Sequence, residues 1–538
     1  MSKKLEEMVA GYGWKFIGRH ELFGYELTRD DRERLESPIP GLGRYGDSTD
    51  FLCNITSGRR LGLLRFMVMK EYFFALARIM KSYNGKFKHQ KIIQELSAED
   101  IEKIQGIGIT AEEVRQAELI ERVTEHDTAA AGDYLKLKVL HLFPELESSV
   151  EGLHFAGTSE DPMSIVMGLM GNELFGHFIK FLSTYCLDQI TFVETCEQNG
   201  PLIIPEFTHQ QSAEPIALCT KSVIGLNAIK YLVKKLMINR DTFQPFSGKM
   251  GGATGQLMCH YAAYPDIDWW EFAKDFVESF GLHYEPVTAQ SVTYVVEAQI
   301  FMTITAILNE VIKITSDFLS LASCPAQLFV KVKRAGAKGS SIMPGKSNGW
   351  GHEGGRKMLR ESIALLLNLA RELMDFPHGG DMGRSYLCRN LGNVFMPIFI
   401  ALPRISKELK SYQPNPKKIS WILDEYPGMA GSSIQTVLKR AGIDGDPYRE
   451  LQKISINNDG SYANAEQFGR GLESFMEKFQ LPVELREELR GLLNWQKLVE
   501  PAAKKAKEEL EALKIFFRRT FDAADKLLYI SKLPHDAE

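Results

Sequence analysis

The sequence has no CxxC pair: its seven cysteines stand singly at Cys53, Cys186, Cys196, Cys219, Cys259, Cys324 and Cys388. An odd, dispersed set argues against a zinc cluster or a disulfide framework and fits a reducing compartment. No run of about 18 uncharged apolar residues is present, so no membrane span is expected. Neither charge sign dominates. With 64 Lys and Arg against 69 Asp and Glu, a net charge of −5, the chain lacks the positive field that holds nucleic acid by its phosphates. The segment Met1 to Glu7 sets acid directly after base and has no apolar centre, unlike a secretory leader. Internal repeats and low-complexity tracts are also missing. These absences point to a cytoplasmic protein without nucleic-acid or membrane partners. Its 538 residues leave room for two to four domains.

What is present is helical periodicity, with few alternating, strand-like runs. The first ~50 residues are rich in Gly, Pro, Asp and Arg and read as an extended arm carrying short helices. An apolar face recurs at three- and four-residue spacing from Gly62 to Ser82. A charged segment follows, Lys86 to Arg122, broken at Gly106-Ile107-Gly108. Met163 to Leu182, Ala217 to Met237, Val292 to Ser323 and Arg356 to Phe376 are apolar beyond one face. Such helices are buried in a bundle or at a subunit interface. After about Pro416 ordinary amphipathic helices return. The Lys/Glu-rich stretch Pro501 to Leu527 reads as a solvated or packing helix.

The stretch Gly339-Ser340-Ser341-Ile342-Met343-Pro344-Gly345-Lys346-Ser347-Asn348 is built differently. Glycines let both ends hinge, and Pro344 denies the middle to a helix. Such a loop closes over a small anion, with Lys346 and Asn348 as donors and Ser340 as the reactive hydroxyl. It resembles the signature loop of the fumarase/aspartase superfamily, lyases that eliminate fumarate from succinyl compounds. With four further motifs, from roughly Ser37 to Leu498, the chain resembles the bacterial type of adenylosuccinate lyase family. The first and last ~35 residues look like additions to that pattern.

The resemblance assigns roles by residue. Arg44 and Tyr45, in Gly43-Arg44-Tyr45-Gly46-Asp47, match the pair that holds the substrate phosphate, as a guanidinium fork beside a phenol would. Ser385 and Arg389 match a Ser-x3-Arg clamp on the same group. His126, with Asp127 beside it, matches the first active-site histidine. Thr158 and Ser159, at the start of an apolar helix, match a carboxylate-binding turn, where hydroxyls and free backbone N–H groups suit an anion. His209, in Thr208-His209-Gln210-Gln211, matches the histidine that protonates the departing amine, and Glu353 its carboxylate partner. Gln290 and the run Lys249 to Gly255 fall where the family lines its site, and Ser341 and Met343 complete the loop's contacts. Ser340 would be the general base, with Lys346 and backbone N–H groups stabilising its alkoxide in a dehydrated pocket.

The resemblance therefore implies an all-α protein of three helical domains, 1–147, 148–413 and 414–538. The central one is a long-helix bundle, four of which form a twenty-helix core in a homotetramer whose sites draw on three subunits. The implied reaction converts adenylosuccinate to fumarate and AMP, with the related succinyl imidazole-carboxamide ribotide as a second substrate, and uses no metal or organic cofactor. Departures exist. Gly345 stands where the family has histidine, the middle of the Thr208–Pro215 motif is altered, and Gly380 occupies an expected arginine position, with Arg384 or His378 as candidate replacements. They keep open a lyase acting on a different succinylated amine or aspartate-type substrate. A silent, structural relative is the other alternative. A dinucleotide site on Gly251–Gly255 is rejected, because the preceding strand and acidic partner are missing.

Overall fold

A computed structural model describes residues 40–83, 97–147, 149–333, 336–375, 377–443 and 445–530. Most of the N-terminal arm, including the Met1–Glu7 segment, lies outside those residues. Helices α1 (Pro40–Thr49) and α2 (Gly58–Tyr83) lead into α3 (Ala98–Gln105), α4 (Ala111–Thr124) and α5 (Asp127–Leu142). Gly43, Arg44 and Tyr45 thus sit within a helix. The starts of α3 and α4 are fixed by capping boxes, Ser97 with Asp100 and Thr110 with Glu113, which satisfy N–H groups the helix itself leaves open.

The centre is a bundle of α6 (Glu160–Cys196), α7 (Leu218–Lys235), α8 (Val295–Ala322), α9 (Trp350–Met374) and, after a short α10 (Arg384–Arg389), α11 (Leu391–Leu409). The apolar stretches read from the sequence all fall on these helices. Helix α11 was not legible in that way, because Pro397 and Pro403 lie inside it and the helix runs on through both. Helix α8 is long and apolar enough by length and composition to cross a membrane, although Glu297, Glu310, Lys313 and Asp317 interrupt it. Its apolarity has another cause: Ile304, Ile307, Leu308 and Val311 are buried in the bundle core.

Helix directions follow from side-chain pairs. Phe192 near the end of α6 meets Phe318 near the end of α8, and Lys410 just after α11 pairs with Asp188 of α6. Conversely, Arg356 at the start of α9 donates to Ser316 near the end of α8. One end of the bundle therefore gathers the C-termini of α6, α8 and α11 with the N-terminus of α9. The far end holds the start of α6, α8 and α11. Helix α9 spans 25 residues, which separates the two ends by about 37 Å.

Among the described residues strands are confined to short pairs, including the hairpin β1 (Ile203–Thr208) with β2 (Gln211–Ala217), and β3 (Phe329–Lys331) with β4 (Tyr412–Pro414). A second, small core forms after the bundle around Ile434, Leu438, Phe468, Leu472 and Met476. The last helix, α12 (Trp495–Ile530), leaves that core and returns along α6, with Leu513 and Phe517 fully buried and Lys514 paired to Glu194. By its packing α12 lies along the central bundle.

Candidate active site

The expected site residues divide between the two ends of the bundle. At the end where α9 begins lies the 339–348 loop. Its two limbs touch: a Cβ on Gly339 would stand 2.1 Å from the Lys346 carbonyl oxygen, so only glycine fits there. The Asn348 side-chain amide donates to the Gly339 carbonyl at 3.0 Å and closes the loop's neck. Two lysines at the end of β3 and just beyond it hold the loop, Lys331 donating to the Asn348 carbonyl at 3.0 Å and Lys333 to the Pro344 carbonyl at 3.2 Å. Lys331 is itself held by Glu408 at 2.6 Å.

Within the loop, the backbone N–H groups of Met343 and Ile342 both donate to Ser340 Oγ, at 3.1 and 3.4 Å. Ser340 is half-buried, while Ser341, Met343 and Lys346 are exposed, and the Lys346 ammonium meets no carboxylate among the described residues. Donors aimed at a hydroxyl oxygen stabilise it most when it carries negative charge.

The same end of the bundle carries Glu353 in the first turn of α9, exposed, and His209 at the tip of the β1–β2 hairpin. The two-residue turn His209-Gln210 has φ of 51° and 64°, the left-handed pair that a tight hairpin demands, here without glycine or asparagine. Gln211 accepts from Tyr462, and Glu214 accepts from Ser432, so the hairpin is braced on the small C-terminal core. Within one chain His209 and Glu353 are not hydrogen-bonded to each other. Arg44, exposed, and Tyr45 lie at this end too, Tyr45 stacking on Arg404 of α11 with 4.6 Å from guanidinium to ring centre.

The opposite end gathers the rest. His126 caps α5, its Nδ1 accepting from the Ala129 N–H at 3.3 Å. Asp127 binds two guanidinium groups, Arg65 at 2.8 Å and Arg389 at 2.9 Å. Burial pushes the Asp127 carboxyl up, but Arg65 and Arg389, with Thr128, outweigh it and hold the group below the ordinary carboxylate range. A carboxylate depressed in the folded state lends stability above its unfolded value and loses it as pH falls through the folded value. Asp127→Asn is expected to destabilise the protein at neutral pH by about 1–3 kcal/mol. Thermal melts across pH check this: the gap to wild type should close in acid.

Thr158 and Ser159 precede α6, and neither hydroxyl caps the helix. The turn is held instead by Asp161, which is buried and accepts from the N–H groups of Thr158 at 2.8 Å, Gly251 at 2.9 Å and Gly252 at 3.1 Å. Lys249, equally buried, pairs with Asp161 at 3.0 Å and donates to the Gly252 carbonyl. Burial lowers the Lys249 ammonium from its usual value, and Asp161 works against that. This pair ties the Thr158–Ser159 turn to the glycine-rich run. Sequence reasoning missed the anchoring roles of Asp161 and Arg65, although an arginine on the apolar face of α2 was a visible signal.

Ser385 is exposed at the start of α10, beside Arg389 one turn on. Gly380 has φ of +95°, and a Cβ there would lie 2.5 Å from Gln290 Oε1, so the glutamine fills the space a side chain would need. Arg384 does not stand in for the missing cation: it is buried, paired with Glu160 and bonded to the Tyr294 hydroxyl. His378 is exposed.

A protein-family profile described as "Lyase" matches residues 44–361. The chain belongs to the lyase family, within the fumarase/aspartase superfamily. It is an enzyme of that class. It is 29% identical over 464 residues to the adenylosuccinate lyase of Escherichia coli strain K12, covering 85% of this chain and 95% of that one. The adenylosuccinate lyase of Legionella pneumophila strain Corby is 28% identical over 459 residues, covering 85% and 94%. Among solved structures, a fumarate lyase from Mesorhizobium sp. BNC1 superposes with a TM-score of 0.62 at 12% identity, over 86% of this chain and 97% of that one. A beta-carboxy-cis,cis-muconate cycloisomerase from Acinetobacter calcoaceticus sp. ADP1 does so at 0.59 and 14% identity, over 87% and 99%. At those identities the structural likeness speaks for the fold alone.

Proposed function

We propose that this lyase eliminates fumarate from adenylosuccinate, leaving AMP, at sites shared between copies of the chain in a homotetramer. The observation that carries the chemistry is the Ser340 hydroxyl with two backbone N–H groups aimed at its oxygen. As an alkoxide, Ser340 Oγ takes the proton from the carbon β to nitrogen. The electron pair forms the new double bond, the C–N bond breaks, and His209 gives its proton to the departing nitrogen. Lys346, Asn348, Thr158 and Ser159 hold the succinyl carboxylates, while Arg44, Tyr45, Ser385 and Arg389 hold the phosphate. His126 and Asp127 border the same pocket, and Glu353 of a neighbouring copy accepts a hydrogen bond from the His209 ring and orients it.

Sharing between copies is supported by distance. The Ser340 loop and the Thr158–Ser159 turn stand at opposite ends of a bundle about 37 Å long, beyond the reach of any one substrate. Antiparallel association of bundles would bring one copy's near end to another's far end. Exposed apolar residues on the bundle helices, Ile224 and Tyr231 of α7 and Leu365 and Leu367 of α9, supply surface for it. The free thiols fit a cytoplasmic setting. No cofactor takes part in this scheme.

Fumarate release from adenylosuccinate, followed by absorbance with the purified protein, tests the substrate. The succinyl imidazole-carboxamide ribotide is tried beside it. A second reading, elimination from a different succinylated amine, is favoured by Gly380 and by Gln290 filling the space beside it. Turnover of such a compound without turnover of adenylosuccinate would select it.

A further inference from the structure

Arg404 has no role in the sequence motifs, yet its surroundings are specific. Its guanidinium lies between two aromatic rings, 4.6 Å from the centre of Tyr45 and 4.8 Å from that of Trp350. No carboxylate pairs with it, and its N–H groups meet no acceptor among the described residues. A guanidinium sandwiched between rings is held flat and loses little freedom when it binds, while its edge donors stay open. The residues around it are chosen for contact with an anion. Tyr45 brings a phenol, Arg44 beside it is an exposed cation, and Trp350 opens α9 two residues after Asn348 of the loop. Glu408, one turn along α11, is turned to Lys331.

We infer that Arg404 is a phosphate ligand, completing with Arg44 and Tyr45 a two-arginine subsite for the phosphomonoester end of the substrate. It supplies the second cation at this end of the bundle, where Gly380, at the other end, supplies none. This inference rests on the reading of Arg44 and Tyr45 as phosphate contacts.

The test compares adenylosuccinate with its dephosphorylated nucleoside on wild type, Arg404→Met and Arg404→Lys, each checked by circular dichroism and melting. Arg404→Met is expected to raise KM for the phosphorylated compound about 10- to 100-fold, with kcat within about threefold and nucleoside kinetics unchanged. Arg404→Lys, which keeps charge but loses the planar stack, should fall between. An equal loss on both compounds, or no loss, overturns the inference. If wild type releases fumarate from neither, the substrate reading has failed, and binding decides the role of Arg404. Trp350 fluorescence, with Trp350→Phe as blank, is then titrated with AMP and with adenosine. A saturable response to AMP alone that disappears in Arg404→Met supports the phosphate role, and the same response in both proteins, or none in wild type, contradicts it.

Discussion

Ser340→Ala is expected to lower kcat for fumarate release roughly a thousandfold while KM stays within about a factor of three. The reasoning is local. Ser340 Oγ is the acceptor of two loop N–H groups, and a methyl group offers those donors nothing to hold and the substrate no base. The loop itself should survive the change, because its neck is closed by Asn348 on Gly339 and its limbs are held by Lys331 and Lys333. Binding therefore persists and the chemical step is lost. Steady-state kinetics on the folded variant reads both quantities. A KM that rises with kcat untouched would assign Ser340 to binding and leave the base elsewhere.

Lys249→Met carries the largest expected effect on stability. Asp161 would keep its three backbone donors but lose the cation paired with it, in a site from which water is excluded. Breaking a buried pair from one side costs about 3–5 kcal/mol, because a charge is left uncompensated. Removing both charges is far milder, so the double variant Asp161→Asn/Lys249→Met should regain much of the loss. Urea unfolding of wild type, the single variant and the double variant measures this. If the double variant is as unstable as the single one, the cost lies in the packing of Lys249 and not in the stranded carboxylate. Activity has a separate expectation: the Thr158–Ser159 turn loses its anchor, so the single variant should also bind substrate more weakly.

These two sites show what the sequence could and could not yield. The 339–348 loop was legible because its chemistry is contiguous, with glycine, serine, proline and lysine within ten residues. The bundle was legible because apolar residues recur at helical spacing over long stretches, and helix α11 was obscured by its two internal prolines. The Asp161–Lys249 pair could not be seen, since its members come from different elements and only folding brings them to 3.0 Å. The hairpin that presents His209 carries no glycine or asparagine in its turn, so the local sequence gave no signal for its left-handed residues. Arg404 lies on that obscured helix, and its meaning depends on Tyr45 and Trp350 arriving from elsewhere. What was least legible was the division of the site. Residue types name the parts of an elimination, but only the length of α9 shows that one chain sets the Ser340 loop and the Thr158–Ser159 turn about 37 Å apart.

The central claim, fumarate elimination at sites built from several copies, is tested most directly by mixing two inactive proteins. Ser340→Ala removes the base at one end of the bundle and His126→Gln the active-site histidine at the other, and each is expected to be inactive on adenylosuccinate alone. Unfolded together and refolded, random assembly leaves about a quarter of the sites with both residues intact if they come from different subunits. The account predicts recovery of fumarate release to about that fraction of refolded wild type. Mixtures that stay inactive, while wild type treated identically regains full activity, would contradict it.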